Sequence, residues 1–347
     1  MNKDHFLKSA TLMLCIMVVA LISWEWFLRD KGHKISYDDG SALWANKRDM
    51  VYHSNATVFI GSSRIKYDLD TETWKKITGE YPVQLAMEGT NPRPILEQLG
   101  NDKKFKGRLI IDVTEGLFFS ESPGRQMEVT ANLEFYKSNH TPAQKSSFLL
   151  NKHLESNLVF LDKAGFSLAA MMDKIKLPQR QGVFSMPDFP LEFNRVNADR
   201  QSIMTPEFLA DSNLQNRVKM IWNNMGGGRR EPPPTGDTLL KILSNVKNSI
   251  EKIKARGGSV LFVRTPSSGP FLMIEEKGYP RKMYWDQLLK FTNTPGIHFL
   301  DYKETANYQC PEFSHLSKSD AVLYTTHLIN TLATEQHWIF PAIQKSF

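Results

Sequence analysis

The sequence predicts an α/β fold in three layers, with helices on both faces of a central parallel sheet of about five strands. Short runs of β-favouring residues alternate with helical patterns, as is typical of parallel sheets. The runs are 57–60, 82–87, 108–113, 259–264 and 297–301. The third run is apolar enough to be buried on both faces, which indicates a central strand.

Helix signals separate these runs. Asp70 begins a helical pattern, and Gly79 follows it at the position where helices end in the left-handed conformation. Short helices are expected over 42–50 and 94–99. An apolar stripe over 239–253 predicts a longer one. Ser317 and Asp320 resemble a capping box, which predicts a final helix through about residue 333.

The N-terminus carries a candidate membrane span. Residues 10–24 are uncharged and mostly apolar, and with their flanks they approach the ~20 residues that cross a bilayer. Trp24 and Trp26 lie where an interfacial aromatic belt would lie. Without a clean cleavage site, we expect an uncleaved anchor over 1–30, a linker over 31–55 and an α/β domain over 56–340. A buried helix of a soluble protein is the alternative, and flanking basic residues on both sides leave the orientation open.

Residues 120–236 interrupt the strand–helix alternation. Helical patterns at 146–153 and 157–175 are joined by polar, proline-containing stretches. We expect a mostly helical insertion that covers the edge where the strands end, in preference to a separate domain.

Composition excludes several classes of function. The 347 residues are 41% hydrophobic and 23% charged, with a net charge of +6 from scattered Lys and Arg. Zinc-finger, RNP and basic-region patterns are absent from the sequence, so no nucleic-acid partner is expected. Cys15 and Cys310 would occupy different environments, which makes a disulfide improbable. The absence of a Cys/His cluster at ligand spacing predicts no metal, and we expect no cofactor.

The first strand run leads into a small polar turn, Gly61-Ser62-Ser63-Arg64. Ligand crevices of open α/β sheets lie at the carboxyl ends of strands, so a hydroxyl is expected there. A serine on such a turn can act as a nucleophile beside backbone N–H groups. A serine that only caps the next helix is the structural alternative.

A carboxylate and a histidine follow near the end of the chain. Glu312 precedes His315 by three positions, just before the final helix. Because parallel strands end at one edge of a sheet, Ser63 and His315 can meet there. A neutral imidazole can take the serine proton, and a carboxylate can fix its tautomer. Asp301 and Asp320 are the other candidate acids.

Together these blocks resemble the SGNH/GDSL hydrolase superfamily, over roughly residues 55–120 and 240–335. The resemblance is strongest to its membrane-anchored branch of polysaccharide and teichoic-acid acylation proteins, of the DltD and AlgJ/AlgX types. It implies that Ser63 is the nucleophile and that Ser63 and Gly89 contribute to the oxyanion hole. Glu312-x-x-His315 stands where the family has Asp-x-x-His.

The sequence departs from the family pattern in its third block. The asparagine that serves the family's oxyanion hole is missing after the third strand, and Asn91 or Thr114 is left as a possible donor. Losing one such donor can lower the rate by ~10²–10³. Arg64 beside the nucleophile either orients an anionic group of the substrate or pairs with Asp68 or Asp70.

The resemblance implies an acyltransferase. Ser63 would accept an acyl group, with acetyl as the first candidate, and pass it to a hydroxyl of a cell-surface or exported polysaccharide. A polytopic membrane-bound acyltransferase would supply the acyl group, and the domain would lie on the periplasmic side of the inner, or cytoplasmic, membrane. An esterase of the same fold and a non-catalytic glycan-binding assembly protein are the alternatives.

Overall fold

The central element of the computed structural model is a parallel five-stranded sheet in the order β2-β1-β3-β6-β7. The structure describes residues 3–173, 175, 188–226 and 231–342. The strands are β1 Ala56–Ile60, β2 Tyr81–Gln84, β3 Arg108–Asp112, β4 Asn194–Val196, β5 Ser202–Met204, β6 Ser259–Arg264 and β7 Gly296–His298. In the central sheet β1 pairs with both β2 and β3, and all its pairings are parallel. The prediction of an α/β fold around five parallel strands is confirmed.

Helices occupy most of the remaining described chain. They are α1 Lys3–Asp30, α2 Ser41–Asp49, α3 Ser63–Asp68, α4 Thr71–Thr78, α5 Arg93–Asn101, α6 Glu115–Phe118, α7 Met127–Ser138, α8 Pro142–Glu155, α9 Lys163–Phe166, α10 Leu168–Asp173, α11 Pro206–Ala210, α12 Ser212–Gly226, α13 Gly236–Ala255, α14 Gly269–Gly278, α15 Trp285–Thr292, α16 Lys303–Ala306 and α17 Lys318–Thr334. Single 3₁₀ turns span Met50–Tyr52, Pro123–Arg125, Val159–Leu161 and Phe299–Asp301.

Two hydrophobic cores lie on opposite faces of the sheet. Alternate strand residues point to opposite faces, so Val58 and Ile111 enter one core and Phe59 and Ile110 enter the other. The first core is completed by α2, α5, α13 and α15, and the second by α3, α4 and α17. The sheet is therefore covered by helices on both faces, which accounts for its continuous apolar strands.

Local capping signals explain the helix ends that were predicted. The Asp70 carboxylate accepts a hydrogen bond from the Thr73 N–H at 2.8 Å, and Gly79 ends α4 with φ at +73°. Ser317 caps α17 by accepting from the Asp320 N–H at 3.2 Å. These contacts satisfy backbone groups that a helix end leaves open.

The chain divides into two compact units. One contains residues 3–38 with the described part of 146–175, and the other contains 39–145 with the described residues after 187. The stretch predicted as one insertion, 120–236, therefore contributes to both units. Residue 174 and the segments 176–187 and 227–230 of this stretch lie outside the described residues.

Two details of the insertion were predicted wrongly. The helix expected over 157–175 is divided into a 3₁₀ turn, α9 and α10, because the Asp162 carboxylate accepts from the N–H groups of Ala164 and Gly165 and starts a new helix. The insertion also contains an antiparallel hairpin, β4–β5, which no sequence pattern indicated.

The hairpin is bound to the α/β unit by buried charges. Arg200, in the hairpin turn, donates two hydrogen bonds to Asp39 and one to the Gln84 carbonyl. Lys66 of α3 also donates to Asp39, at 2.5 Å. Burial raises the pKa of Asp39, but the charges of Arg200 and Lys66 outweigh it and lower the pKa below its ordinary value. These contacts position the hairpin beside α3.

Candidate functional site

The candidate site lies where the sheet order reverses. From β1 the chain runs to β2 on one side and then to β3 on the other, so the carboxyl ends of β1 and β3 flank a topological switch point. The turn after β1 is Gly61-Ser62, and α3 begins at Ser63. A Cβ atom on Gly61 would lie 2.6 Å from the Asp112 Cβ, so only glycine fits between the two strand ends.

Hydrogen bonds join these two strand ends. The Ser62 and Thr114 hydroxyl oxygens are 2.8 Å apart, and the Thr114 hydroxyl donates to the Asp112 carboxylate at 3.0 Å. All three residues are buried. Ser63, the next residue, is only partly buried. The turn therefore holds Ser62 inside the protein and leaves Ser63 more accessible.

The second component of the site is a buried carboxylate–imidazole pair. His315 Nδ1 lies 2.8 Å from Glu312 Oε1, and the same oxygen accepts from the His315 backbone N–H at 2.7 Å. Glu312 is 0% exposed and His315 1% exposed. A carboxylate at Nδ1 favours the tautomer with its proton there, which leaves Nε2 as a base.

A tryptophan from the insertion completes the bonding of this carboxylate. Trp222, in α12, donates its indole N–H to Glu312 Oε2. Both carboxylate oxygens are thus bonded, one to His315 and one to Trp222. Sequence reasoning missed Trp222, since no local motif separates this indole from an ordinary apolar residue of an amphipathic helix.

Aromatic rings surround the imidazole. The Tyr67 ring stacks on His315 at a centroid distance of 4.2 Å, and the rings of Trp222 and Phe193 lie at 6.1 Å and 6.5 Å. Tyr67, Phe193 and the insertion residues Phe208 and Val218 form one buried cluster. Residues of the insertion after position 187 therefore pack around the imidazole.

The helix that carries Ser63 also packs against the histidine loop. Ser63 and Tyr67 are four residues apart in α3 and share a face of that helix. The next residue, Asp68, accepts from the Leu316 N–H at 2.9 Å. His315 Nε2 is buried and has no hydrogen-bond partner among the described residues, so Ser63 and His315 are not bonded to each other here.

The predicted oxyanion-hole donors differ in their availability. The Asn91 side-chain amide donates to the Ser120 carbonyl at 2.8 Å, and the Thr114 hydroxyl is engaged by Asp112. Gly89 has φ at +66° in the loop after β2. With the two side chains engaged, the predicted donors that remain are the backbone N–H groups of Ser63 and Gly89.

Arg64 is part of a buried ion network. Arg64 is 2% exposed, and its guanidinium donates a hydrogen bond to Glu275. Glu275 also accepts from Arg264 at 2.6 Å. Burial raises the pKa of Glu275, but the charges of Arg64 and Arg264 outweigh this and hold the pKa at about 2. The ion-pair partner of Arg64 is thus Glu275, where the sequence had offered Asp68 or Asp70.

Two other buried carboxyls, Asp112 and Asp68, accept hydrogen bonds from Thr114 and Leu316 of the site. Burial raises the pKa of Asp112 above its ordinary value, and raises that of Asp68 well above it. Neighbouring Arg64 opposes both shifts without cancelling them. These carboxyls therefore hold protons more tightly than exposed aspartates do.

The other candidate acids are engaged elsewhere. Asp301 is paired with Arg281 at 2.6 Å, on the surface, and Asp320 accepts from the Ser317 hydroxyl at 2.8 Å. Glu312 is thus the carboxylate that the structure places against His315. In the described ranges, no group of three or more His, Cys, Asp and Glu side chains is arranged to hold a metal ion.

No family model matches this chain, and no curated protein matches it significantly. The function must therefore be argued from the site itself.

Proposed function

We propose that this protein is a membrane-anchored serine O-acyltransferase of the SGNH type that acts on a cell-surface or exported polysaccharide. The observation that carries the proposal is the buried Glu312–His315 pair, whose Nε2 is unbonded and whose loop packs against the helix that begins with Ser63. Pairing of a carboxylate with Nδ1 prepares an imidazole for general-base catalysis on a hydroxyl nucleophile.

The reaction proceeds in two steps through an acyl-serine. The Ser63 hydroxyl attacks the acyl carbonyl, its proton passes to His315 Nε2, and the donor's leaving group departs with that proton. A sugar hydroxyl then attacks the acyl-serine and gives its proton to His315, which passes a proton to the Ser63 oxygen as the ester bond breaks and regenerates the free hydroxyl. Glu312 stabilises the imidazolium in both steps, and the N–H groups of Ser63 and Gly89 bind the oxyanion.

Transfer is favoured over hydrolysis by the aromatic cover. Tyr67, Phe193 and Trp222 surround the imidazole with apolar surface, which limits the water that His315 could activate. An acyl-serine in such surroundings persists until an acceptor sugar arrives. Acetyl remains the first candidate for the acyl group.

The N-terminal helix supports the membrane location. α1 is the one helix among the described residues that is long and apolar enough to cross a bilayer, by a criterion that a signal sequence also meets. We propose that it is a retained single-pass anchor in the inner, or cytoplasmic, membrane with the α/β unit on the periplasmic side. A polytopic membrane-bound acyltransferase would then supply the acyl group.

A non-catalytic glycan-binding assembly protein is the second candidate. The engaged side chains of Asn91 and Thr114 and the absence of a Ser63–His315 hydrogen bond in the described structure favour it. It predicts that removing the Ser63 hydroxyl leaves glycan acylation unchanged.

The deciding experiment compares adjacent serines. The full chain in native membranes is treated with a fluorophosphonate probe, which forms a covalent bond with activated serines, and the modified peptide is identified by mass spectrometry. We expect labelling of the wild type and of Ser62→Ala, and loss of labelling in Ser63→Ala and His315→Ala.

Cellular acylation then tests the direction of the reaction. Cells that carry only Ser63→Ala are expected to lose surface-glycan acylation while the variant remains anchored and folded. An increase in acylation would identify an esterase. Unchanged acylation together with an unlabelled Ser63 would establish the non-catalytic alternative.

A further inference from the structure

The unit that contains α1 exposes an apolar helix face. Leu168, Met171 and Met172 share a face of α10, and Ile175, just after this helix, continues the same spacing in the sequence. These four residues are 76%, 48%, 60% and 63% exposed, respectively. Large apolar patches of this kind mark an interaction surface.

The same segment is bonded to the last turns of α1. The Glu25 carboxylate accepts from the backbone N–H groups of Val159 and Phe160 at 3.0 Å and 3.1 Å. Arg29, one turn later, bonds both Glu25 and the Asn157 carbonyl. The turn that leads to α9 and α10 is thus held beside the end of the candidate span.

The position of Glu25 along α1 sets the depth of this attachment. A hydrocarbon core of about 30 Å takes ~20 helical residues. The uncharged stretch of α1 ends at Trp24, and Glu25 is the first charged residue after Lys8. Glu25 therefore falls near the boundary between the acyl chains and the headgroups. The Phe166 ring packs on His33 at 5.0 Å, so α10 begins beside the residues that follow α1.

From this continuity we propose that the face of Leu168, Met171, Met172 and Ile175 lies in the membrane interface beside α1. The occupant of the patch is lipid, at the level between headgroups and acyl chains, where amphipathic helices bury an apolar face. The inference rests on the anchor included in the proposed function. It adds a second membrane contact, which fixes this unit against the bilayer.

Fluorescent probes on the full chain test this contact. In a Cys15→Ala background, an environment-sensitive fluorophore is attached at single cysteines in protein reconstituted into nanodiscs that contain only phospholipid. Leu168→Cys and Met172→Cys report the patch, Val18→Cys reports the span, and Glu251→Cys is an exposed control in α13. Cys310 is buried and is left in place.

We expect the two patch probes to show blue-shifted emission, quenching by spin-labelled lipid and protection from iodide. The Val18 probe should be quenched by lipid and the Glu251 probe by iodide alone. Ala169→Cys, at the side of the apolar face, should show weaker lipid quenching than Leu168→Cys.

Each other outcome overturns the proposal in a recognisable way. A lipid-quenched Val18 probe with iodide-quenched patch probes would leave the anchor intact and exclude the second contact. A Val18 probe that lipid does not quench would remove the anchor itself. Patch probes protected from iodide but not quenched by lipid would mean that protein covers the face. If the patch probes are protected from iodide in native membranes but not in the phospholipid nanodiscs, another membrane protein covers the face.

Discussion

Replacing Trp222 by phenylalanine removes one hydrogen bond from the candidate site while keeping an aromatic ring in place. The indole N–H of Trp222 donates to Glu312 Oε2, and the ring packs near Phe189 at 5.0 Å and Phe271 at 6.3 Å. In Trp222→Phe, the donor is lost and most of the packing remains. Glu312 Oε2 is then left in an apolar pocket without that partner.

The expected magnitude follows from this geometry. A hydrogen bond to a charged group contributes about 1.5–3 kcal/mol, which corresponds to a factor of roughly 10 to 150. Glu312 Oε1 still accepts from the His315 backbone and ring. Because these two contacts continue to orient the carboxylate, we expect a loss near the lower limit, about tenfold.

The assay is the second-order rate of Ser63 labelling by the fluorophosphonate probe, with the melting temperature measured in parallel. Phe189→Leu is the matched control, because Phe189 packs on Trp222 and its side chain has no polar group to bond Glu312. We expect slower labelling with a nearly unchanged melting temperature for Trp222→Phe, and near-normal labelling for Phe189→Leu. Equal labelling rates in the wild type and Trp222→Phe would refute a positioning role for the indole.

Three further predictions concern the acid, a buried proton and the anchor. Glu312→Gln should abolish labelling of Ser63 and Asp301→Asn should not, because Asp301 pairs with Arg281 on the surface; the reverse result would refute the Glu312 assignment. Burial raises the pKa of Asp68, so the folded state holds its proton to a higher pH than the unfolded chain. Protonated Asp68 therefore favours the folded state below about pH 4, and this stabilisation is lost as the pH rises toward the raised pKa of Asp68 in the folded protein. Urea unfolding from pH 4 to 8 should therefore show a wild-type stability that falls relative to Asp68→Asn, and parallel curves would contradict it. Fusions at the C-terminus should make a periplasmic reporter active and a cytoplasmic reporter inactive; the opposite pattern would exclude the proposed topology.

The sequence by itself determined the parallel sheet and much of the helix framework. Buried parallel strands must be apolar on both faces, so the runs at 57–60, 108–113 and 259–264 were visible without tertiary information. The helix caps at Asp70 and Ser317 could also be predicted, because a capping side chain bonds a backbone N–H only a few residues away in the sequence. The three-residue spacing of Glu312 and His315 likewise brought both groups to one loop.

Only the tertiary structure decided which groups meet across the chain. Trp222 reaches Glu312, and Arg64 pairs with Glu275, across sequence separations of 90 and 211 residues. Such contacts depend on how the insertion and α14 fold back over the strand ends, which periodicity and capping do not encode. The division of 157–175 into short helices has a related cause, because the competing cap at Asp162 overrides the apolar period. Helix caps and short motifs could therefore be predicted from the sequence. Hydrogen-bond and ion-pair partners from distant elements could not, because neither segment's sequence indicates which other segment it will contact.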